Sequence, residues 1–318
     1  MKTASPPDET LHSPVMIEEA VSYLRPRPGK TYVDATVGAG GHSDAILSSA
    51  GEGAKLIGID ADPDAVSIAR RRLERFGDRV SIVNTNFARI EDAVASSGTE
   101  KVDGIIADLG ISGMQISQSG RGFSFSADEP LDMRMDTSLK ITAADIVNTA
   151  GGRELTGIIK KYGEERFASR VASAIVRERE HNSLKTSREL ARVVSSAIPA
   201  RFHPPKTHPA TRTFQALRIE VNNEIGNLET FMEKAPQILN TGARMVVISF
   251  HSLEDRVVKK SFNFMSLDCV CPPGLPRCGC GKERAVKVIT RKPALPSAEE
   301  ILRNPRARSS KTRVAERV

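Results

Sequence analysis

The sequence predicts an α/β fold, a doubly wound Rossmann-like sheet with a helical domain inserted into it. Three observations carry this expectation. Short apolar strands alternate with helix-patterned segments between residues 31 and 107, which is the rhythm of a parallel sheet built from βαβ units. The first strand runs into Gly38, Gly40 and Gly41, and the second ends in Asp60, where an α/β fold holds the ribose of a nucleoside. After Asp108 the alternation stops, helical periodicity fills the chain to residue 198, and a strand returns at Arg244.

Each element follows from its local pattern. Residues 12–23 read as a short helix, with Ser13 as N-cap and Pro14 at the first helical position. Residues 31–35 form the first strand, and the glycine turn opens a helix at Ser43. Strand two covers 56–59. Asp62 then caps a helix reaching residue 76, whose outer face carries Arg70, Arg71 and Arg72. Strand three covers 80–83 and is followed by Asn86-Phe87. Strand four covers 102–107 and delivers Asp108-Leu-Gly110.

Residues 118–135 are rich in glycine, serine and charge and lack periodicity, whereas 142–198 are helical throughout. Residues 199–209, with four prolines, form an exit loop. A long helix over 210–239, broken near Asn222, leads to a fifth strand at 244–249 and to His251. A further strand at 285–290 and a mostly extended tail from 293, with a short helix at 298–303, complete the chain. Residues 1–117 and 207–318 are therefore expected to make one discontinuous domain, with 118–206 as an inserted helical domain for substrate recognition.

Composition bounds the partners. Hydrophobic residues make up 39% and charged residues 27% of the 318, ordinary for a globular chain. No apolar run approaches the roughly 20 residues that a membrane span requires, and the polar first ten residues do not read as a signal peptide. The expected compartment is the cytoplasm, with no membrane and no obligate protein partner. Of 46 basic and 39 acidic side chains, residues 281–318 hold 11 and 4, so the whole surplus of +7 lies in the tail. A polyanionic partner or a merely solvated tail both fit that distribution. All four cysteines fall in Cys269-Val-Cys271 and Cys278-Gly-Cys280. Their clustering fits either a tetrahedral thiolate zinc site or a loop of reduced thiols; zinc knuckles favour C-x2-C, so reduced thiols are the preferred reading and no metal is assigned.

The cofactor is narrowed by what the glycine turn lacks. Dinucleotide sites use G-x-G-x-x-G, and Ser43 stands at the last position. S-adenosyl-L-methionine carries no phosphates and needs only the close turn and a ribose acid. Asp34, Gly38, Gly40, Gly41, Asp60, Phe87 and Asp108 at successive strand ends suit it. The Pro-Pro-Tyr device that follows strand four in many amino-methyltransferases is absent, because Asp108-Leu-Gly-Ile111 stands there. His251, Asp132 and Asp136 are candidate acceptors for an amine proton, each with a structural role as the alternative, and no catalytic residue is assigned.

Longer motifs then carry a resemblance. They include His12-Ser-Pro-Val15, Asp34-Ala-Thr-Val-Gly-Ala-Gly-Gly-His42, Asp60-Ala-Asp-Pro63 and Arg121-Gly-Phe-Ser-Phe125. Leu131-Asp-Met-Arg-Met-Asp136, Tyr162-Gly-Glu-Glu-Arg-Phe167, His208-Pro-Ala-Thr-Arg-Thr-Phe-Gln215, Ser249-Phe-His-Ser-Leu-Glu-Asp255 and Ala307-Arg-Ser-Ser-Lys-Thr-Arg313 continue the set. Across nearly its whole length the chain resembles the bacterial 16S ribosomal RNA cytidine N4-methyltransferase family (RsmH, formerly MraW). The resemblance implies a class I methyltransferase fold and methylation of the exocyclic N4 amine of a cytidine in the decoding region, at the P site, of 16S rRNA within the small ribosomal subunit.

It further implies S-adenosyl-L-methionine contacts at Gly40, Gly41, His42, Asp60, Phe87, Asp108 and Gln115, the roles of His42 and Gln115 resting on it alone. Where the family commonly has Val-Ser-Ser-Pro-Gln-Leu-Asp after Asp108-Leu-Gly110, this chain has Ile111-Ser-Gly-Met-Gln-Ile-Ser117. Arg121, Arg134, Arg212 and the tail arginines are the expected phosphate contacts, and Phe123 and Phe125 either stack on bases or pack on the helices. A methyltransferase of DNA cytosine or protein, and a non-catalytic RNA-binding assembly factor, are the competing readings.

Overall fold

The computed structural model describes residues 14–117, 119–125, 127–272 and 278–318. Ser13, the expected cap of the first helix, lies outside them. The chain divides into two compact units, Met1–Gly110 with Gly226–Val318, and Ile111–Ile225. The expected boundaries are 117/118 and 206/207, and the two compact units divide at 110/111 and 225/226. The outer shift has a packing cause: a Cβ on Gly163 would lie 2.6 Å from the carbonyl oxygen of Arg212. Two helices thus touch backbone to backbone, and the one carrying Arg212 belongs with the inserted helices.

Among the described residues the first unit holds a seven-stranded sheet. In chain order it runs α1 (Ile17–Leu24), β1 (Thr31–Asp34), α2 (Gly41–Ala50), β2 (Lys55–Asp60), α3 (Pro63–Leu73), β3 (Val80–Asn84), α4 (Ile90–Ser96) and β4 (Val102–Asp108). In the second unit follow α5 (Gly113–Ser117), α6 (Ala143–Thr149), α7 (Gly152–Gly163), α8 (Ala168–His181), α9 (Ser187–Ala197) and α10 (Thr211–Asn222). The chain then continues through α11 (Glu224–Lys234), β5 (Leu239–Ser249), α12 (Ser252–Met265), β6 (Val286–Val288), α13 (Ala298–Arg303) and β7 (Lys311–Arg317).

The sheet order is β3-β2-β1-β4-β5-β7-β6. The first five of these strands are parallel, and β7 lies antiparallel between β5 and β6. Side chains alternate between the two faces. Val33, Ile57, Ile105 and Val247 pack with Leu228, Phe231 and Met232 of α11. Tyr32, Leu56, Ile106 and Val246 face Leu24, Ile46 and Leu47 on the other side. Burial on both faces is why these strands read as unbroken apolar runs. Each such side chain contributes about 1.5–3 kcal/mol. In register, Asp34 pairs with Gly58 and Ile106, Asp60 with Asn84, and Asp108 with Ile248. All three aspartates therefore stand at the carboxyl edge, where such sheets take ligands.

The second unit packs α6 to α10 around Leu155, Ile159, Val171, Ile175, Val194 and Leu217. Thr142 with Asp145, and Thr186 with Glu189, form capping boxes that start α6 and α9. Asn223, in left-handed conformation at φ 47°, makes the expected break near Asn222. The described parts of the aperiodic loop before α6 are pinned rather than loose. Asn222 Nδ2 donates to the Met133 carbonyl at 2.8 Å, and its Oδ1 accepts from Met135 N–H at 2.7 Å. Arg121 donates to the carbonyls of Arg134 and Met135, each at 3.0 Å.

Candidate cofactor and active site

β1, β2 and β4 each end on an aspartate, and the three carboxylates do different work. Asp34 is buried. Its Oδ1 accepts Thr36 N–H at 3.2 Å and its Oδ2 accepts the Ser43 hydroxyl at 2.7 Å. Burial raises its pKa, opposed by His42 and by these hydrogen bonds, which include Ser43 N–H. Ser43, the residue that breaks the dinucleotide fingerprint, thus fastens the first turn of α2 to the end of β1. Asp34 is committed to holding the turn.

Asp60 accepts Gly38 N–H on Oδ2 at 2.8 Å and Asp62 N–H on Oδ1 at 2.9 Å. A carboxylate oxygen takes two hydrogen bonds, so each retains room for a ligand hydroxyl. Burial pushes the Asp60 carboxyl up to about 6. Asp108 donates its backbone N–H to Thr36 Oγ1 at 2.7 Å. Its Oδ1 is buried with no hydrogen-bond partner among the described residues, a costly arrangement in a folded chain. Burial, with added repulsion from Asp34 and Glu254 and against the pull of His42, raises Asp108 to about 7.

The glycine turn is shaped by what packs on it. Gly40, at φ 80° and ψ 17°, is the N-cap of α2, in the left-handed region that favours glycine. A Cβ on Gly41 would lie 2.0 Å from Pro14 Cγ, so the segment before α1 sits directly on the turn. His42 is buried, and its Nε2 lies 3.0 Å from the Val15 carbonyl oxygen. A carbonyl only accepts, so Nε2 carries the proton. The other ring nitrogen, Nδ1, faces Asp108 Oδ2 at 3.8 Å. His42 is therefore held by Val15 and lies beside the acid at the end of β4.

Phe87 opens a single 3-10 turn, Phe87–Arg89, capped by Asn86. Its ring meets Phe231 edge-on at 5.3 Å and 81°. Gln115 belongs to the helical unit, where it is buried and its side-chain oxygen accepts Ser112 N–H at 2.9 Å.

Several candidates have structural employment. His251 is the N-cap of α12: its Nδ1 accepts Glu254 N–H at 3.3 Å. Glu254, buried, returns the bond by accepting the N–H groups of Phe250 and His251 at 2.8 and 3.2 Å. The sequence carries this as a His-x-x-Glu variant of the capping box, which residue-type scanning misses. Asp132 receives a forked pair from Arg134, 2.8 Å to Nε and 2.7 Å to Nη2. Against the upward pull of burial, that guanidinium holds Asp132 below the usual carboxylate range. Asp136 accepts Ser138 N–H at 2.8 Å.

Arg134 also donates to the carbonyls of Thr137 and Leu139, so its expected role at phosphate is corrected to an internal brace. Arg121 is likewise bonded to loop carbonyls, while Arg212 is 55% exposed at its side chain. Phe123 is buried in the helical core, and Phe125 stacks on His208 at 4.4 Å.

The basic tail is corrected as well. Residues 311–317 are the interior strand β7, and Arg313 forks onto Asp255 at 2.6 and 3.3 Å. Lys287, Arg291, Lys292 and Arg308 remain exposed. The four cysteines, read as unliganded thiols, are gathered so that their sulfurs all lie within 4.8 Å of one another.

A doubly wound sheet in this order, with an antiparallel strand inserted beside β5 and acids at the ends of β1, β2 and β4, defines a class I methyltransferase. S-adenosyl-L-methionine is the methyl donor of that class, and the site fits it. Mutually repelling buried carboxylates and an orphaned acceptor oxygen favour a cation with amino and hydroxyl donors, and disfavour a pyrophosphate.

Comparison with known proteins defines the chain further: residues 9–318 match the MraW methylase family, and the chain belongs to it. A Clostridioides difficile (strain 630) protein named ribosomal RNA small subunit methyltransferase H is 47% identical over 307 residues, 96% of this chain and 99% of that one. A protein of the same name from Caldicellulosiruptor bescii is 47% identical over 309 residues, 96% and 99% of the two chains. Among solved structures, an rRNA methylase from Streptococcus thermophilus aligns at TM-score 0.40 and 11% identity over 95% of this chain and 93% of that one.

Proposed function

We propose that this chain methylates the exocyclic N4 amine of a cytidine in the decoding region, at the P site, of 16S rRNA within the small ribosomal subunit. The observation that carries the substrate is the full-length match, at 47% identity, to relatives named for methylation of small-subunit rRNA. An rRNA substrate places the enzyme in the cytoplasm, and among the described residues no helix is long and apolar enough to cross a membrane.

The cofactor residues in this reading are Gly40, Gly41, His42, Asp60, Phe87, Asp108 and Gln115. Asp60 takes the ribose hydroxyls on the free lone pairs of Oδ1 and Oδ2. Asp108 Oδ1 gains an N–H donor that satisfies it. Phe87, steadied by Phe231, offers a face to the adenine. Gly40 and Gly41 admit the ligand to the backbone, and His42 holds that turn against Val15. When bound, the cofactor supplies an electrophilic methyl on sulfonium.

A cytosine amine is a weak nucleophile because its lone pair is delocalised into the ring. The protein's contribution is therefore positioning and acceptance of the amine protons. The helical unit, 111–225, is the proposed recognition domain for a splayed base, with Arg212, half-exposed beside Glu165, as its proposed phosphate contact.

The test is a substrate panel with methyl-labelled cofactor: unmodified small subunits, free 16S rRNA, duplex DNA and ribosomal protein. Label confined to 16S rRNA in small subunits supports the proposal. Label on DNA or protein, or none on unmodified subunits, contradicts it.

A further inference from the structure

The connection from α12 to β6 carries every cysteine of the chain, and its described parts fold the two C-x-C arms against each other. Cys278 Sγ lies 3.4 Å from Cys269 Sγ, 3.8 Å from Cys271 Sγ and 3.4 Å from Cys280 Sγ. Cys280 Sγ lies 3.8 Å from Cys269 Sγ. None of the four is in a disulfide. With zinc–sulfur bonds of about 2.3 Å, a tetrahedral site has sulfur–sulfur edges of about 3.8 Å. The cluster has the size of a first coordination shell.

Two further features match thiolates rather than idle thiols. Val270 N–H points to Cys280 Sγ at 3.4 Å, and Cys271 N–H to Cys269 Sγ at 3.3 Å. Backbone donors aimed at sulfur stabilise negative charge there and orient the ligand. An exposed ion pair, Arg284 with Asp268, also joins the two arms, but pairs of that kind contribute little. Phe264, Leu267 and Val270 are 55%, 45% and 46% exposed, so among the described residues of this stretch no apolar core closes it.

We propose that Cys269, Cys271, Cys278 and Cys280 hold one structural zinc ion. Four protein sulfurs leave no open position for water or substrate, so the ion clips the connection and takes no part in methyl transfer. Soft thiolates select zinc over magnesium or calcium. On binding, four thiols release four protons to solvent, and a +2 ion among four thiolates leaves a charge of −2. Lys282, next along the chain, offsets part of that charge. The ion adds a cross-link that closes the connection between α12 and β6.

The experiment uses the full chain, produced with zinc and kept reduced. Elemental analysis should find one zinc per chain, released stoichiometrically by a thiol-reactive mercurial. Exchange with Co2+ should give intense thiolate-to-cobalt charge-transfer bands and tetrahedral d–d bands. Replacing Cys271→Ser together with Cys278→Ser should abolish both, with the far-ultraviolet circular dichroism retained. The cobalt spectrum is read on the unmutated chain, so it stands even if that variant misfolds. The proposal is overturned if four thiols titrate freely in folded, zinc-supplied protein that retains no zinc. It is equally overturned by a chain lighter by four hydrogens, in two disulfides, that takes up neither metal after reduction.

Discussion

Pro14 occupies the space that a side chain on Gly41 would need, its Cγ 2.0 Å from where a Cβ would stand. The next residue, Val15, accepts a hydrogen bond from His42. Pro14-Val15 and the glycine turn are thus two halves of one packed unit, although 27 residues separate Val15 from His42.

Gly41→Ala forces Pro14 away from the turn. Overpacking of this kind costs about 1–3 kcal/mol. Thermal unfolding should report the loss, and calorimetric titration with S-adenosylhomocysteine should show weaker binding. Pro14→Ala in the same chain should restore part of both, because the two residues are in contact. A double variant no better than Gly41→Ala would refute the packing account.

Asp108 and Asp60 set a pH dependence with a definite sign. Burial raises Asp108 to about 7 and Asp60 to about 6, from an ordinary aspartate value of 3.8. The folded state therefore holds these protons longer than the unfolded state. Their stabilising contribution is fully present below about pH 4 and is lost as pH rises through about 6 to 7. Unfolding scans across that window should show Asp108→Asn losing less stability with rising pH than the parent. Cofactor affinity should move the opposite way, rising with pH as Asp108 ionises into an acceptor, and Asp108→Asn should flatten that rise.

His251 works as a helix cap, so His251→Asn, another good cap, should keep stability within about 0.5 kcal/mol, whereas His251→Ala should cost about 1 kcal/mol. Turnover should survive in His251→Asn. A kcat loss beyond roughly 100-fold in a fully stable Asn variant would instead make His251 the acceptor of the amine proton.

Arg313 belongs to the fold and not to the RNA surface. Its side chain is 8% exposed and paired with Asp255, whose carboxyl it holds low against the opposing effect of burial. Arg313→Ala should cost about 3 kcal/mol, and the double variant with Asp255→Ala less than the sum of the singles. Arg313→Ala should leave the salt dependence of RNA binding unchanged. Alanine at Lys287, Arg291 and Lys292 should reduce that slope by about 1 for each phosphate these side chains neutralise.

How far the sequence could be read follows from how each element is stabilised. Parallel strands buried on both faces are continuous apolar runs, and their terminal aspartates stand out at the ends, so the sheet and Asp34, Asp60 and Asp108 were legible. β7 was not, because Lys311-Thr-Arg313 looks like a basic tail until Asp255, 58 residues away, is brought against it. The loop carrying Phe123, Leu131 and Met133 has no period because side-chain to backbone bonds from Asn222 and Arg121 hold it. The unit boundary at 225/226 depends on the close approach of Gly163 to Arg212, which no local pattern announces. Spacing of the cysteine pairs likewise says nothing about whether the two arms meet.

The central claim is cytosine N4 methylation of 16S rRNA, and the most direct measurement identifies the labelled nucleoside. Small subunits lacking the modification are incubated with the purified chain and methyl-labelled S-adenosyl-L-methionine, then digested to nucleosides and separated by mass and retention. The account predicts that the label elutes as N4-methylcytidine, arises from one cytidine of the decoding region, and disappears with Asp60→Ala. Label in 5-methylcytidine, in a methylated ribose or in another base would contradict it.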